Sequence, residues 1–202
     1  MIDNIIDYIQ TNWLEVFGIV TTLICVWLNI RQNIWGWFWA VVSSSVYGVV
    51  YFQSKLYSDM ELQIVFIVLS VYGWYQWLFG GADKTELPAS KMPVKYIPIC
   101  IVVGLAFTGI SGYLHSQTDA SLPYLDASLT AVSLIAQWMM ARKYLENWLL
   151  WIAANLVYIG MYYTKDLYGT SILYALLLIM AIKGYFDWKK TISSPAESSL
   201  HN

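Results

Sequence analysis

Three short strings hold the side chains whose types and spacing could do chemistry. In VYGWYQWLFGG, at 71 to 81, Trp74 and Trp77 stand three residues apart and share one helical face, with Gln76 beside them. In ENWLLWIAANLVY, at 146 to 158, Asn147, Trp151, Asn155 and Tyr158 recur at i, i+4, i+8 and i+11, a continuous stripe of amide, indole, amide and phenol. QNIWGWFWA, at 32 to 40, sets Asn33 and Trp37 at the same NxxxW spacing, and Gln137 puts a further amide inside an apolar run. Indoles interleaved with amides suit a planar ring that also hydrogen-bonds. Stacking and cation–π attraction contribute roughly 1–2 kcal/mol per desolvated contact, and amides fix the ring's edge. The ligand this pattern fits is a small aromatic, polar, cationic metabolite.

A bland reading stands beside it. Rows of Trp and Tyr often form interfacial belts, as Trp13, Trp35, Trp188, Tyr162 and Tyr163 suit, and buried amides often serve as interhelical glue worth about 0.6 kcal/mol each. A belt has no need of amides on its own face at membrane depth. Chemistry of other kinds has no residues to carry it. His115 and His201 have no partners at triad or zinc spacing, Cys25 and Cys100 form no CxxC, and the chain contains no GxxxxGK[ST] loop. The sequence therefore predicts no enzyme, no metal, no cofactor and no direct use of ATP, leaving passive facilitation as the simplest mechanism. Glu61 and Asp126 are too separated to read as an ion-coupling pair.

The elements that position these strings follow from composition. Of 202 residues, 58% are hydrophobic and 12% charged, against roughly 45–50% and 25% in soluble domains. A net charge of −2 with dispersed basic residues excludes nucleic acid as a partner. Charged residues delimit seven uncharged runs, at 16–30, 32–54, 62–82, 96–118, 127–141, 147–164 and 167–182. Each is near the length that crosses a bilayer, which predicts an all-α polytopic membrane protein with seven transmembrane helices. Residues 1–13 carry Ile2, Ile5, Ile6, Ile9 and Trp13 at helical spacing, an interfacial helix, and 191–202 read as a disordered tail. Eight basic residues fall on one side (Arg31, Lys84, Lys91, Lys95, Arg142, Lys143, Lys189, Lys190) and two on the other (Lys55, Lys165), placing the N-terminus outside and the C-terminus in the cytoplasm.

Sliding the chain against itself by 111 residues aligns 23–77 with 134–188 without a gap and gives thirteen identities, among them Trp27/Trp138, Arg31/Arg142, Trp37/Trp148, Gly73/Gly184 and Trp77/Trp188. Two three-helix repeats, 14–82 and 121–190, then flank a cytoplasmic loop and linker helix at 83–120. With an even number of spans between their starts, 3 + 1, the repeats start on the same side and run parallel, an arrangement frequent in transporters.

At WLEVFG (13–18), LY (56–57) with Leu62 and Gln63, YGWYQW (72–77), Leu125-Asp126-Ala127-Ser128 and RKYLENWLLW (142–151) followed by Asn155, the sequence resembles the PnuC family of nicotinamide riboside transporters. The resemblance implies a SWEET-like 3+1+3 fold in the bacterial inner membrane and facilitated uptake of a vitamin-like cation. It also implies a functional link to a cytoplasmic kinase that traps the imported nucleoside. The family's WxxW motif maps onto Trp74 and Trp77 and its NxxxW motif onto Asn147 and Trp151, as substrate contacts. Gln76, Gln137, Asn155, Tyr158, Asn33 and Trp37 are added from the stripe and spacing. Related PnuT proteins carry thiamine, and Glu61 could pair with an aminopyrimidine, so thiamine stays open as the cargo. A seven-helix sensor without flux is the reading from another class. Oligomeric state is also open, with a homotrimer among the options.

Overall fold

A computed structural model of the chain describes residues 13–53, 57–117, 122–164 and 168–193. Among them are seven α-helices: α1 Trp13–Ile30, α2 Trp35–Gln53, α3 Tyr57–Phe79, α4 Tyr96–Ser116, α5 Pro123–Ala141, α6 Asn147–Thr164 and α7 Tyr168–Ser193. The proposed interfacial helix lies almost wholly outside the described residues, as does most of the tail. Thr191–Ser193, expected in that tail, instead extend α7, where the Thr191 hydroxyl donates to the Asp187 carbonyl and the Ser193 hydroxyl to the Lys189 carbonyl. Even the shorter helices, at 18 residues, reach about 27 Å, close to the hydrocarbon thickness of a bilayer.

Four helices are both long and apolar enough to cross a membrane: Trp13–Ile30, Met60–Phe79, Tyr96–Ser116 and Gly169–Ser193. The other three, α2, α5 and α6, carry the hydroxyl, amide and indole groups that lower their hydropathy, and these are also helices with much of the buried surface. The outward faces are broadly apolar, with Val68, Val102, Leu105 and Ile179 among many exposed aliphatic side chains. This is the profile of helices solvated by lipid, and the protein is a multi-pass membrane protein.

The described helices fall into two compact units, 1–86 and 87–202. Within the first, α2 packs against both α1 and α3; within the second, α5 packs against α4 and α6, and α6 against α7. The helix α4, expected from the sequence as a linker, is part of the second unit. In each unit a tryptophan fills the space over a glycine: the Trp37 ring lies where a side chain on Gly73 would stand, and the Trp148 ring where one on Gly184 would. Each of these indoles meets a second edge-on, Trp37 on Trp77 at 5.4 Å and 88°, and Trp148 on Trp188 at 5.5 Å and 88°.

The turns that open α2 and α6 are also alike. Gln32 N–H donates to Asn29 O and Asn33 N–H to Leu28 O, while Lys143 N–H donates to Met140 O and Tyr144 N–H to Met139 O. These are Schellman pairs, and the residue that makes the turn is left-handed in both, with φ of 53° at Gln32 and 50° at Lys143. The tyrosines repeat as well: Tyr47 stacks on Tyr51 at 6.0 Å, and Tyr158 on Tyr162 at 6.1 Å.

Candidate binding site

In the first unit, α3 carries Trp74, Gln76 and Trp77, and their surroundings differ. Trp77 is buried against Trp37, itself fully buried, so this pair forms the α2–α3 core. Trp74, one turn earlier, is half-buried in a looser group with Trp35 at 6.3 Å and Phe38 at 6.4 Å. Gln76 is half-buried. Asn33 is exposed, and its Oδ1 accepts from the Trp35 N–H at 3.0 Å, closing the turn that starts α2. Spacing alone had set Asn33 beside Trp37 as a matched pair; the turn geometry gives Asn33 a capping contact.

In the second unit, α6 presents its stripe as the spacing requires. Asn147 and Asn155 are buried and Trp151 and Tyr158 half-buried, whereas Leu149, Ala153, Leu156, Val157 and Gly160 on the remaining surface are exposed. Asn147 opens the helix: its Nδ2 donates to the Tyr144 carbonyl at 2.6 Å, and its Oδ1, fully buried, has no hydrogen-bond partner among the described residues. A buried amide oxygen in that condition loses about 1–3 kcal/mol unless a donor reaches it, so it is a place where a ligand N–H or O–H gains. Tyr158 stacks on Tyr174 of α7 at 4.6 Å and 26°, and Tyr162 stacks on the same ring. Gln137 is half-buried on α5.

The 111-residue register explains why the two NxxxW strings do not superpose. It pairs Asn29 with Met140 and Gly36 with Asn147, so each turn keeps one buried amide but takes it from opposite sides. Asn29 comes from the end of α1 and occupies the space beside Gly36, where any side chain on that residue would collide with it. Asn147 comes from the start of α6. Asn29 is a polar residue within the uncharged run 16–30, and nothing in its spacing marks its placement at the turn.

Contacts that the sequence did not signal hold the second turn. Ser90 N–H donates to Lys143 O at 3.0 Å, Leu145 N–H donates to Ser90 O at 2.8 Å, and Met92 N–H donates to Glu146 Oε2 at 2.8 Å. Tyr144 is wedged between Tyr96 and Trp138, with ring centroids 6.3 and 5.9 Å away. Residues 54 positions apart share no local pattern that would mark the pairing. In α1 and α2, Thr22 and Ser43 hydroxyls pair at 2.7 Å. Lys183 and Asp187, polar residues within α7, form a local ion pair at 2.6 Å, and among the described residues no group of His, Cys, Asp and Glu could hold a metal ion.

The profile of the nicotinamide mononucleotide transporter family matches residues 12–190. The chain belongs to that family. Curated relatives in it include the nicotinamide riboside transporter PnuC of Escherichia coli strain K12, 26% identical over 88% of this chain and 85% of that protein, and PnuC of Neisseria mucosa, 27% identical over 90% and 73%. The riboflavin/roseoflavin transporter RibM of Streptomyces davaonensis is 24% identical over 87% of this chain and 84% of its own. A crystal structure of the vitamin B3 transporter PnuC has the same fold, with a TM-score of 0.71 and 24% identity over 95% of this chain and 87% of the other. The matched relatives of this nicotinamide mononucleotide transporter family member are transporters, which agrees with the lack of a catalytic set in its sequence.

Proposed function

We propose that the protein is a facilitator carrying nicotinamide riboside across the bacterial inner membrane. The observation that carries this is the α6 stripe, where a buried Asn147 Oδ1 with no hydrogen-bond partner among the described residues sits one turn from Trp151. A carboxamide-bearing pyridinium ring offers N–H groups to such an acceptor and a delocalised cation to the indole. The naming of PnuC relatives for nicotinamide riboside supports the same cargo.

The ten residues divide into two roles in this reading. Trp74, Gln76, Gln137, Asn147, Trp151, Asn155 and Tyr158 contact the substrate. Trp37 and Trp77 set the wall behind Trp74, and Asn33 sets the start of the helix bearing Trp37. The chain would follow the 3+1+3 SWEET-like plan, with 1–13 interfacial and the C-terminal tail cytoplasmic; the matched Schellman turns and matched indole pairs 111 residues apart support the duplication. With no phosphate-binding loop, net uptake rests on a cytoplasmic kinase that converts the nucleoside to a phosphorylated product unable to return.

Riboflavin is the second reading that an observation favours, because RibM is among the relatives. Thiamine has less support. Glu61, its suggested partner, is exposed thirteen residues before Trp74, about 20 Å along α3. Trp-fluorescence titration of the purified protein with nicotinamide riboside, thiamine and riboflavin tests the assignment. Saturable quenching by nicotinamide riboside alone, in the micromolar range or below, is expected; saturable quenching by one of the others alone overturns the cargo and keeps the transport class. A sensor is excluded if proteoliposomes show flux.

A further inference from the structure

The turn between α5 and α6 is clasped by a piece of the loop before α4, and the clasp acts on the amide that opens α6. Ser90 bonds both flanks of Tyr144, accepting from Leu145 N–H and donating to Lys143 O. Glu146, next to Asn147, receives the Met92 N–H. Lys143, Tyr144 and Leu145 are all buried, so the backbone between the bonds has little freedom. The Tyr144 carbonyl takes both the backbone N–H of Asn147, at 3.2 Å, and its side-chain Nδ2, at 2.6 Å. In a planar amide Nδ2 and Oδ1 are the two arms of one rigid group, so fixing the direction in which Nδ2 donates also fixes where Oδ1 lies. The orientation of the buried acceptor is therefore set by where the Tyr144 carbonyl points, and that is set by the clasp.

The first unit closes its equivalent turn differently. There the residue 111 positions before Tyr144 is Asn33, whose own side chain caps Trp35, the residue 111 before Glu146. With Tyr144 in place of that Asn, the turn has no short polar side chain to do this, and its tie is to the loop: Ser90 bonds Lys143 O and Leu145 N–H, and the Glu146 carboxylate takes the Met92 N–H.

We propose that Glu146, acting with the Ser90–Met92 segment, is a positioning residue for substrate binding: it fixes the turn that aims the Asn147 amide oxygen. The inference rests on Asn147 being a substrate contact. Glu146 itself touches no ligand; it needs only an oxygen to accept from Met92, so charge is dispensable and the acceptor is not.

The experiment uses the full-length protein in detergent, with two readouts. Hydrogen–deuterium exchange of the peptide covering 142–149 reports the clasp without any ligand, and calorimetric titration with nicotinamide riboside reports binding. Glu146→Ala and Met92→Pro, which removes the N–H, should each speed exchange there and weaken affinity by about tenfold, the scale of one lost charge-assisted hydrogen bond. Glu146→Gln should keep both within about threefold, and the double variant Glu146→Ala/Met92→Pro should be no weaker than either single one, as for two ends of one bond. Unchanged exchange in both single variants overturns the clasp. Faster exchange with unchanged affinity overturns its effect on binding, and so does a Gln variant as weak as Ala, which would mean the charge meets the ligand. If the wild-type protein binds riboflavin or thiamine instead, the cargo assignment fails while the same variants are compared with that ligand. If it binds none of the three, the substrate-binding reading fails and the positioning role falls with it, the exchange readout alone still deciding whether the clasp exists.

Discussion

Asn147 and Trp151 are one helical turn apart, yet their surroundings differ: the amide is fully buried, its oxygen without a hydrogen-bond partner among the described residues, and the indole is half-buried. Truncating either to Ala should weaken nicotinamide riboside binding by about tenfold, with the melting temperature of the detergent-solubilised protein within a few degrees of wild type. Fluorescence titration and thermal denaturation on the same preparations check this. If both variants instead melt far lower while the folded fraction binds normally, the stripe is glue. Gly73 and Gly184 make the opposite prediction. An Ala at either position would run into the Trp37 or Trp148 ring, and overpacking of that kind costs about 1–3 kcal/mol. Gly73→Ala should lower the melting temperature, and Gly73→Ala combined with Trp37→Phe should recover part of the loss, because the smaller ring vacates the space.

At the scale of elements, the two left-handed turns decide how α2 and α6 begin. Gln32 and Lys143 adopt a conformation that costs a non-glycine residue roughly 1 kcal/mol, accepted because the Schellman bonds satisfy the last carbonyls of the preceding helix. Gln32→Gly should raise the apparent melting temperature by a few degrees, and Gln32→Ala should not, since only glycine relieves the strain. Helix existence was legible: the uncharged runs 32–54 and 147–164 lie within a residue or so of α2 and α6 at most of their ends, because charges cannot sit deep in the bilayer. At α3 and α7 the helices outrun the runs, α3 reaching back through Glu61 and α7 continuing through Lys183 and Asp187, because charges at helix ends sit at the interface and can pair with each other.

At the scale of the molecule, the family and the absence of an energy-coupling motif lead to one transport prediction. Proteoliposomes should take up labelled nicotinamide riboside until inside and outside concentrations are equal, and accumulate label beyond that point only when a nucleoside kinase and ATP are enclosed. Uptake above equilibrium without the kinase, abolished by collapsing an ion gradient, would replace facilitation by coupled transport. Orientation has its own check. In a background with Cys25 and Cys100 replaced, Cys introduced at Lys189 should react with an impermeant maleimide only after cells are permeabilised, and Cys at Thr164 should react in intact cells.

The sequence by itself determined the class of solvent, the helices and the candidate face of α6, because hydropathy, charge exclusion and the 3.6-residue period are local properties. It also marked Trp37, Trp77, Trp148 and Trp188 through the 111-residue register, but could not say that these rings lock helix to helix while Trp74 lies in a looser cluster. Only the tertiary structure decided that, and likewise that Asn33 caps a turn, that Gly36 makes room for Asn29, and that Ser90 and Met92 hold the turn before Asn147. The physical reason is that each depends on which atoms meet across helices or across long stretches of chain. Such meetings are set by the packing of whole elements, and no residue type or spacing along the chain encodes them one by one.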